Sequence, residues 1–157
     1  MAKYIEVGEI EKAQKIWAGG IVEIGKAFLQ NSNYKSVAKN LLDDLYGYKE
    51  GPVLFKPTKA SEQQFRLNAE SALSYFVGDN PNFPEDKGFA LQPWKNVRFE
   101  NAGFICKKNH ALVMGNYYFT DTSGNEVKVE YTFGYFVNKN GDIKINLHHS
   151  SLPYSIT

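Results

Sequence analysis

The chain has 157 residues and a formal net charge of +1, and its 15% aromatic content stands against three His and one Cys. That length is one domain's worth, enough to bury about two-thirds of the unfolded chain's surface. The balance of 18 basic against 17 acidic residues offers no general electrostatic footprint for nucleic acid, and a lone Cys excludes an intramolecular disulfide framework or a Cys-rich structural zinc site.

The N-terminal fifteen residues carry Glu6, Glu9 and Glu11, and the apolar stretch 16–29 is interrupted by Glu23 and Lys26. A secretory leader needs an unbroken apolar core, and no segment approaches the ~20 apolar residues of a membrane span. The chain therefore reads as cytosolic (cytoplasmic), with no membrane partner.

Residues 9–29 place Ile10, Ala13, Ile16, Trp17, Ile21, Ile24 and Phe28 on a near-continuous stripe, which predicts a long amphipathic helix. Asn31, Ser32 and Asn33 break it and can cap a successor, whose apolar side is Val37, Leu41, Leu42 and Leu45. Two glycines and a proline in 46–52 mark a turn, and Val53, Leu54 and Phe55 suggest a short strand. Ser61-Glu62-Gln63-Gln64 fits a capping box, with Phe65, Ala69, Ala72, Leu73 and Phe76 following at helical spacing. Residues 79–88 hold two prolines and read as a surface loop.

From Trp94 the period changes to two. Strands are predicted over 96–106, 111–121, 126–138 and 142–151, joined by short connectors, the last with the hairpin dipeptide Asn140-Gly141. Three hairpins in series make an antiparallel meander. The predicted architecture is α+β: one domain, 1–157, with N-terminal helices packed on a strongly curved antiparallel sheet. A pocket lies between the helices and the concave face.

Alternation assigns the strand faces. Val127, Val129, Tyr131, Phe133, Tyr135 and Val137 share the core face of the third long strand. On the last strand Ile143, Ile145 and Leu147 point inward, and continued alternation carries His149 and Ser151 inward too. Lys144, Asn146, His148 and Ser150 then point outward. The strand 111–121 is apolar on both faces, with Val113, Tyr117 and Phe119 on one and Leu112, Met114 and Tyr118 on the other. Covering on both sides is the rule for such a strand, so a homodimer packed through the outer sheet face is expected.

The residues restrict the chemistry. A catalytic zinc usually takes three protein ligands. His148 and His149 are neighbours on a strand and face opposite ways, while Cys106 and His110 make only a pair. Cys106 reads better as a packed side chain. Ser151 and His149 share a face, but i and i+2 lie ~6.5 Å apart along a strand, and no G-x-S-x-G elbow, P-loop or G-x-G-x-x-G is present. What remains is a pocket of hydroxyls and one imidazole. Thr58 reads equally as a turn hydroxyl or a pocket hydroxyl, Tyr75 as a core-edge phenol or a site residue, and His149 as a satisfied polar group or a working acid–base.

The segment His148-His149-Ser150-Ser151-Leu152-Pro153 resembles the iota-class carbonic anhydrases. The agreement extends through Phe55-Lys56-Pro57-Thr58, Ala72-Leu73-Ser74-Tyr75-Phe76 and Tyr131-Thr132-Phe133-Gly134-Tyr135. The wider group looks like the association domain of calmodulin-dependent kinase and other cones of the nuclear-transport-factor-2-like type, which agrees with the α+β layout. The resemblance implies reversible hydration of CO₂ to bicarbonate, with Thr58, Tyr75 and Ser151 binding bicarbonate and His149 nearby. Some members use manganese and others no metal. The scarcity of ligands here favours the metal-free type, with no cofactor.

Without a metal, a positioned base supplies ~10²–10⁴-fold and one preorganised donor ~10²–10³-fold. On this reading Thr58, Tyr75 and Ser151 hold a water beside CO₂, and His149 relays the proton. Tyr75 is a poor base because burial raises its pKa. Two other readings are a non-catalytic dimerisation or small-ligand module of the same fold, and a proton-transfer enzyme of the ketosteroid-isomerase type. The latter needs an inward carboxylate that the last two strands do not offer.

Overall fold

A computed structural model describes residues 3–156; Met1, Ala2 and Thr157, which the expected domain takes in, lie outside the described residues. Helix α1 (Val7–Leu29) begins as Glu9 reaches back to the Glu6 amide at 3.2 Å. It buries Ile10, Ala13, Trp17, Ile21 and Ile24, while Ile16 and Phe28 from the predicted stripe fall at its exposed flank. Helix α2 (Tyr34–Leu45) is capped by Asn33, whose side chain accepts from the Ser36 amide at 3.1 Å. It packs Leu41, Leu42 and Leu45 inward.

Helix α3 (Ala69–Val77) starts later than Ser61-Glu62-Gln63-Gln64 predicts. Its N-cap is Asn68, paired with Ser71. The earlier motif fails because the backbone N–H groups of Ser61, Glu62 and Gln63 are taken by the Glu85 carboxylate at 2.8, 3.2 and 2.8 Å, which leaves Phe65 exposed. Those bonds hold the Glu85 carboxyl down to about 2. Beneath this loop the buried Arg66 grips Asp86 through two bonds of 2.7 and 2.8 Å and also donates to the Gln63 and Ser71 carbonyls. A buried charge is tolerated when its hydrogens are satisfied in this way.

The sheet order is β1 (Leu54–Lys56), β5 (Ile143–Ser151), β4 (Glu126–Val137), β3 (His110–Asp121), β2 (Trp94–Cys106). The four long strands form the expected antiparallel meander. The short β1 adds to the β5 edge in parallel, pairing Phe55 with His148 and Lys56 with His149, so the open sheet is mixed rather than wholly antiparallel. Register shifts interrupt β2 between Asn101 and Gly103 and the β4–β5 pair at Gly134–Tyr135. Such bulges add bend and twist. Trp17 of α1 lies in the concavity, its indole against the rings of Phe76, Phe99, Tyr117, Phe119 and Phe133. No helix among the described residues is long and apolar enough to cross a membrane.

Candidate active site

The bulge in β5 decides which side chains reach the concave side. Gly134 pairs with Leu147 and Tyr135 with Ile145, so Asn146 is an extra residue without an opposite number. A one-residue insertion moves every following side chain to the other face. Ile143 and Ile145 point inward as expected, but Leu147 does not. His148 and Ser150 are buried (2% and 1% exposed), whereas His149 is exposed and Ser151 partly so. The expectation that His149 and Ser151 face inward, and His148 and Ser150 outward, is thereby corrected. The signal for the slip was Gly134 on the facing strand, since a strand glycine marks a bulge or a close approach.

His148 is clamped between Phe55 and Phe133, with ring centroids 4.6 and 4.0 Å away and nearly parallel. Burial holds its imidazole well below the ordinary value, with a smaller push from His149, and so keeps it neutral. Both ring nitrogens are engaged. Nδ1 lies 2.8 Å from the Tyr46 hydroxyl, which also accepts from Trp17 Nε1 at 2.9 Å. Nε2 lies 3.1 Å from the Tyr117 hydroxyl. The chain continues from Tyr117 to Ser150 Oγ at 2.6 Å, and from Ser150 to Thr58 Oγ1 at 2.6 Å. Burial raises the hydroxyls of Tyr46, Tyr75 and Tyr117 far above the usual phenol value. Hydrogen bonds pull the other way, from Trp17 on Tyr46, from Lys59 and Thr58 on Tyr75, and from Ser150 and Thr58 on Tyr117.

Thr58 stands just after β1 and Tyr75 on α3, where its oxygen accepts from the Lys59 amide at 3.2 Å. Together with Ser150, His148, Tyr117 and the apolar Trp17, Phe55, Phe76 and Phe89 they enclose a narrow cavity with about 10 Å³ of room for the centre of a water-sized molecule. That is about one water's worth. Lys56 reaches across from β1 to the Ser150 carbonyl at 2.9 Å, and burial lowers its ammonium pKa. Of the residues singled out in the sequence, Thr58 and Tyr75 reach this cavity. His149 and Ser151 instead line an open groove of about 370 Å³ on the outer sheet face, beside Asn116, Glu130 and Thr132. Trp17, Tyr46, Tyr117, His148 and Ser150 were missed. Trp17 stands on the predicted apolar stripe and Tyr117 on one of the two apolar faces of its strand, but their polar atoms meet only in three dimensions. Among the described residues, no three His, Cys, Asp or Glu side chains gather closely enough to hold a metal ion.

An open, curved sheet over three helices, with a buried hydroxyl–imidazole cavity on its concave side, defines a nuclear-transport-factor-2-like cone. A Salmonella enterica protein of that superfamily superposes with a TM-score of 0.56 at 10% identity, covering 96% of this chain and 92% of that one. Within that class the relationship narrows: the chain belongs to the metal-independent carbonic anhydrase family, whose pattern it matches over residues 8–152. A metal-independent carbonic anhydrase from Nostoc sp. (strain PCC 7120) is 43% identical over 153 residues, which are 96% of this chain and 75% of that protein. The crystal structure of a cyanobacterial iota-carbonic anhydrase complexed with bicarbonate superposes with a TM-score of 0.93 at 42% identity, covering 97% of this chain and 94% of that one. The reading of the chain as an iota-class carbonic anhydrase therefore stands.

Proposed function

We propose that CO₂ and bicarbonate interconvert in the cavity enclosed by α1, α3 and β5, with Thr58, Tyr75 and Ser150 as the binding hydroxyls and His148 as their neutral partner. The observation that carries this reading is the continuous run of hydrogen bonds from Trp17 to Thr58, which ends in that cavity. The aromatic wall of Trp17, Phe55, Phe76 and Phe89 suits an apolar guest such as CO₂. In the hydration direction the oxygen of a water at the cavity mouth bonds to the carbon of CO₂, one C=O electron pair moves onto oxygen, and a proton leaves. The hydroxyls of Thr58 and Tyr75 face the charge that develops on the substrate oxygens, and one such donor is worth ~10²–10³-fold. Neither Tyr75 nor His148 suits the role of proton store. Burial raises the first and lowers the second, so the proton is assigned to water or buffer at the cavity mouth. The roles first read for Ser151 and His149 pass in this proposal to Ser150 and His148.

The test is CO₂ hydration by chelator-treated protein, with metal analysis on the same sample, for the parent, Ser150→Ala and Ser151→Ala. The parent is expected to stay active, Ser150→Ala to lose ~10²-fold or more while keeping its circular dichroism, and Ser151→Ala to remain close to the parent. Equal losses, or the opposite order, would overturn the assignment to Ser150.

We propose further that two copies associate through the outer sheet face, where Ile105, Leu112 and Met114 are exposed around an apolar groove. A cytosolic location belongs to the same proposal.

A further inference from the structure

Trp17 is the one member of the buried chain whose role is fixed by its chemistry: an indole nitrogen donates and cannot accept. We infer that Trp17 is a positioning residue whose N–H sets the direction of the whole chain, so that Thr58 meets the cavity as a hydrogen-bond donor. Trp17 Nε1 donates to the Tyr46 oxygen. The Tyr46 hydrogen then has one acceptor within reach, His148 Nδ1, because Tyr46 is buried against the rings of Tyr48, Phe55 and Phe76. A neutral imidazole carries a single N–H, and with Nδ1 accepting, that hydrogen sits on Nε2. Nε2 donates to Tyr117, Tyr117 to Ser150, and Ser150 to Thr58. The Thr58 hydrogen is left for the cavity or for Tyr75. Since the Tyr75 oxygen already accepts from Lys59, its own hydrogen is free as well. Whichever of these two hydroxyls serves the other, one hydrogen remains for the guest.

The reverse direction is penalised at the far end. It would put hydrogens on both Trp17 Nε1 and His148 Nδ1, both aimed at the Tyr46 oxygen, and strand the Tyr46 hydrogen among aromatic rings. An unpartnered buried polar group is unfavourable. The core thereby biases the cavity toward a guest rich in acceptor oxygens, bicarbonate above water, through a residue that acts at a distance. This consequence for binding rests on the cavity being the site proposed above; the direction of the chain does not.

The imidazole tautomer tests the inference without an activity assay. In the 157-residue chain with His110→Gln and His149→Gln, both exposed and outside the hydrogen-bonded chain, His148 is the remaining imidazole. Its ¹⁵N spectrum is expected to show hydrogen on Nε2 and none on Nδ1. A dominant Nδ1–H form overturns the inference. Adding Trp17→Phe is expected to populate the Nδ1–H form and to weaken bicarbonate binding by about tenfold, the effect of one hydrogen bond; an unchanged tautomer removes Trp17 from this role. Should Trp17→Phe fail to fold, Tyr117→Phe removes the partner of Nε2 and keeps a ring in place: the imidazole is expected to stay in its Nε2–H form because Tyr46 still donates to Nδ1, and a switch to Nδ1–H overturns the inference. Loss of activity in Ser150→Ala is read separately, so a failed assignment of the cavity and a failed direction of the chain remain distinguishable.

Discussion

His148 is kept uncharged by its surroundings, and that has a thermodynamic consequence. Its folded pKa lies well below the ordinary 6.5 because burial disfavours the imidazolium. Below pH 6.5 the unfolded chain binds a proton there that the folded chain does not. Stability is therefore full above that value and falls as pH drops, by up to about 1.4 kcal/mol per pH unit, until the depressed folded pKa is reached. The carboxylates that are paired or hydrogen-bonded, such as Glu85 and Asp79, have folded values below the usual carboxylate range and act at lower pH. Urea unfolding between pH 7 and 5 should show this loss, and a flat profile would contradict a neutral buried His148. Arg66 makes the complementary case. It is fully buried, bound to Asp86, and stacked over Phe83 with 4.7 Å to the ring centroid. Asp86→Asn removes the two-bond partner of the guanidinium and leaves it Glu85 alone, at 3.6 Å. A loss of about 3–5 kcal/mol is expected, measured by the denaturation midpoint. A loss below about 1 kcal/mol would place the pair among exposed ion pairs in effect.

At the level of elements, the β4–β5 pair governs the site. The extra residue Asn146 is accommodated opposite Gly134, where a Cβ would lie 2.9 Å from Leu147 Cβ and 3.1 Å from Asn146 Oδ1. Gly134→Ala must push β5 away or reset its register, and with it His148 and Ser150. Overpacking of this kind costs about 1–3 kcal/mol. The expected outcome is a lower melting temperature together with a fall in CO₂ hydration larger than the stability loss accounts for; a variant with parental activity would mean the bulge does not aim the site. The helices were legible from their 3.6-residue spacing, and the four long strands from period two and their turns. The start of α3 was not. A capping box is a local pattern, and the carboxylate of Glu85, twenty-odd residues away in sequence, competes for the same amides.

For the whole molecule, α1 is tied to the sheet near the start of its buried stripe. Gln14 and Asn101 exchange amide hydrogen bonds of 2.7 and 3.0 Å, and Tyr131 adds its hydroxyl to Asn101. These contacts meet at the bulged part of β2. The same bend that wraps the concave face around Trp17 leaves Ile105, Leu112 and Met114 on the convex side. Exposed apolar side chains gathered on one face mark an interaction surface. Sedimentation equilibrium is expected to give a dimer that Met114→Lys weakens, and a monomer independent of concentration would remove the proposed pairing.

The sequence by itself determined the α+β layout, the inward set of β4 and the family resemblance that pointed to Thr58 and Tyr75, because periodicity and motif spacing are properties of contiguous residues. Only the tertiary structure decided that His148 and Ser150, rather than His149 and Ser151, face the cavity. The strand's alternation is reset by a bulge, and that bulge exists because Gly134 on another strand allows β5 to carry one residue more. The chain from Trp17 to Thr58 is likewise tertiary: its six residues come from α1, the turn after α2, the turn after β1, β3 and β5, and only folding brings their polar atoms within hydrogen-bonding distance.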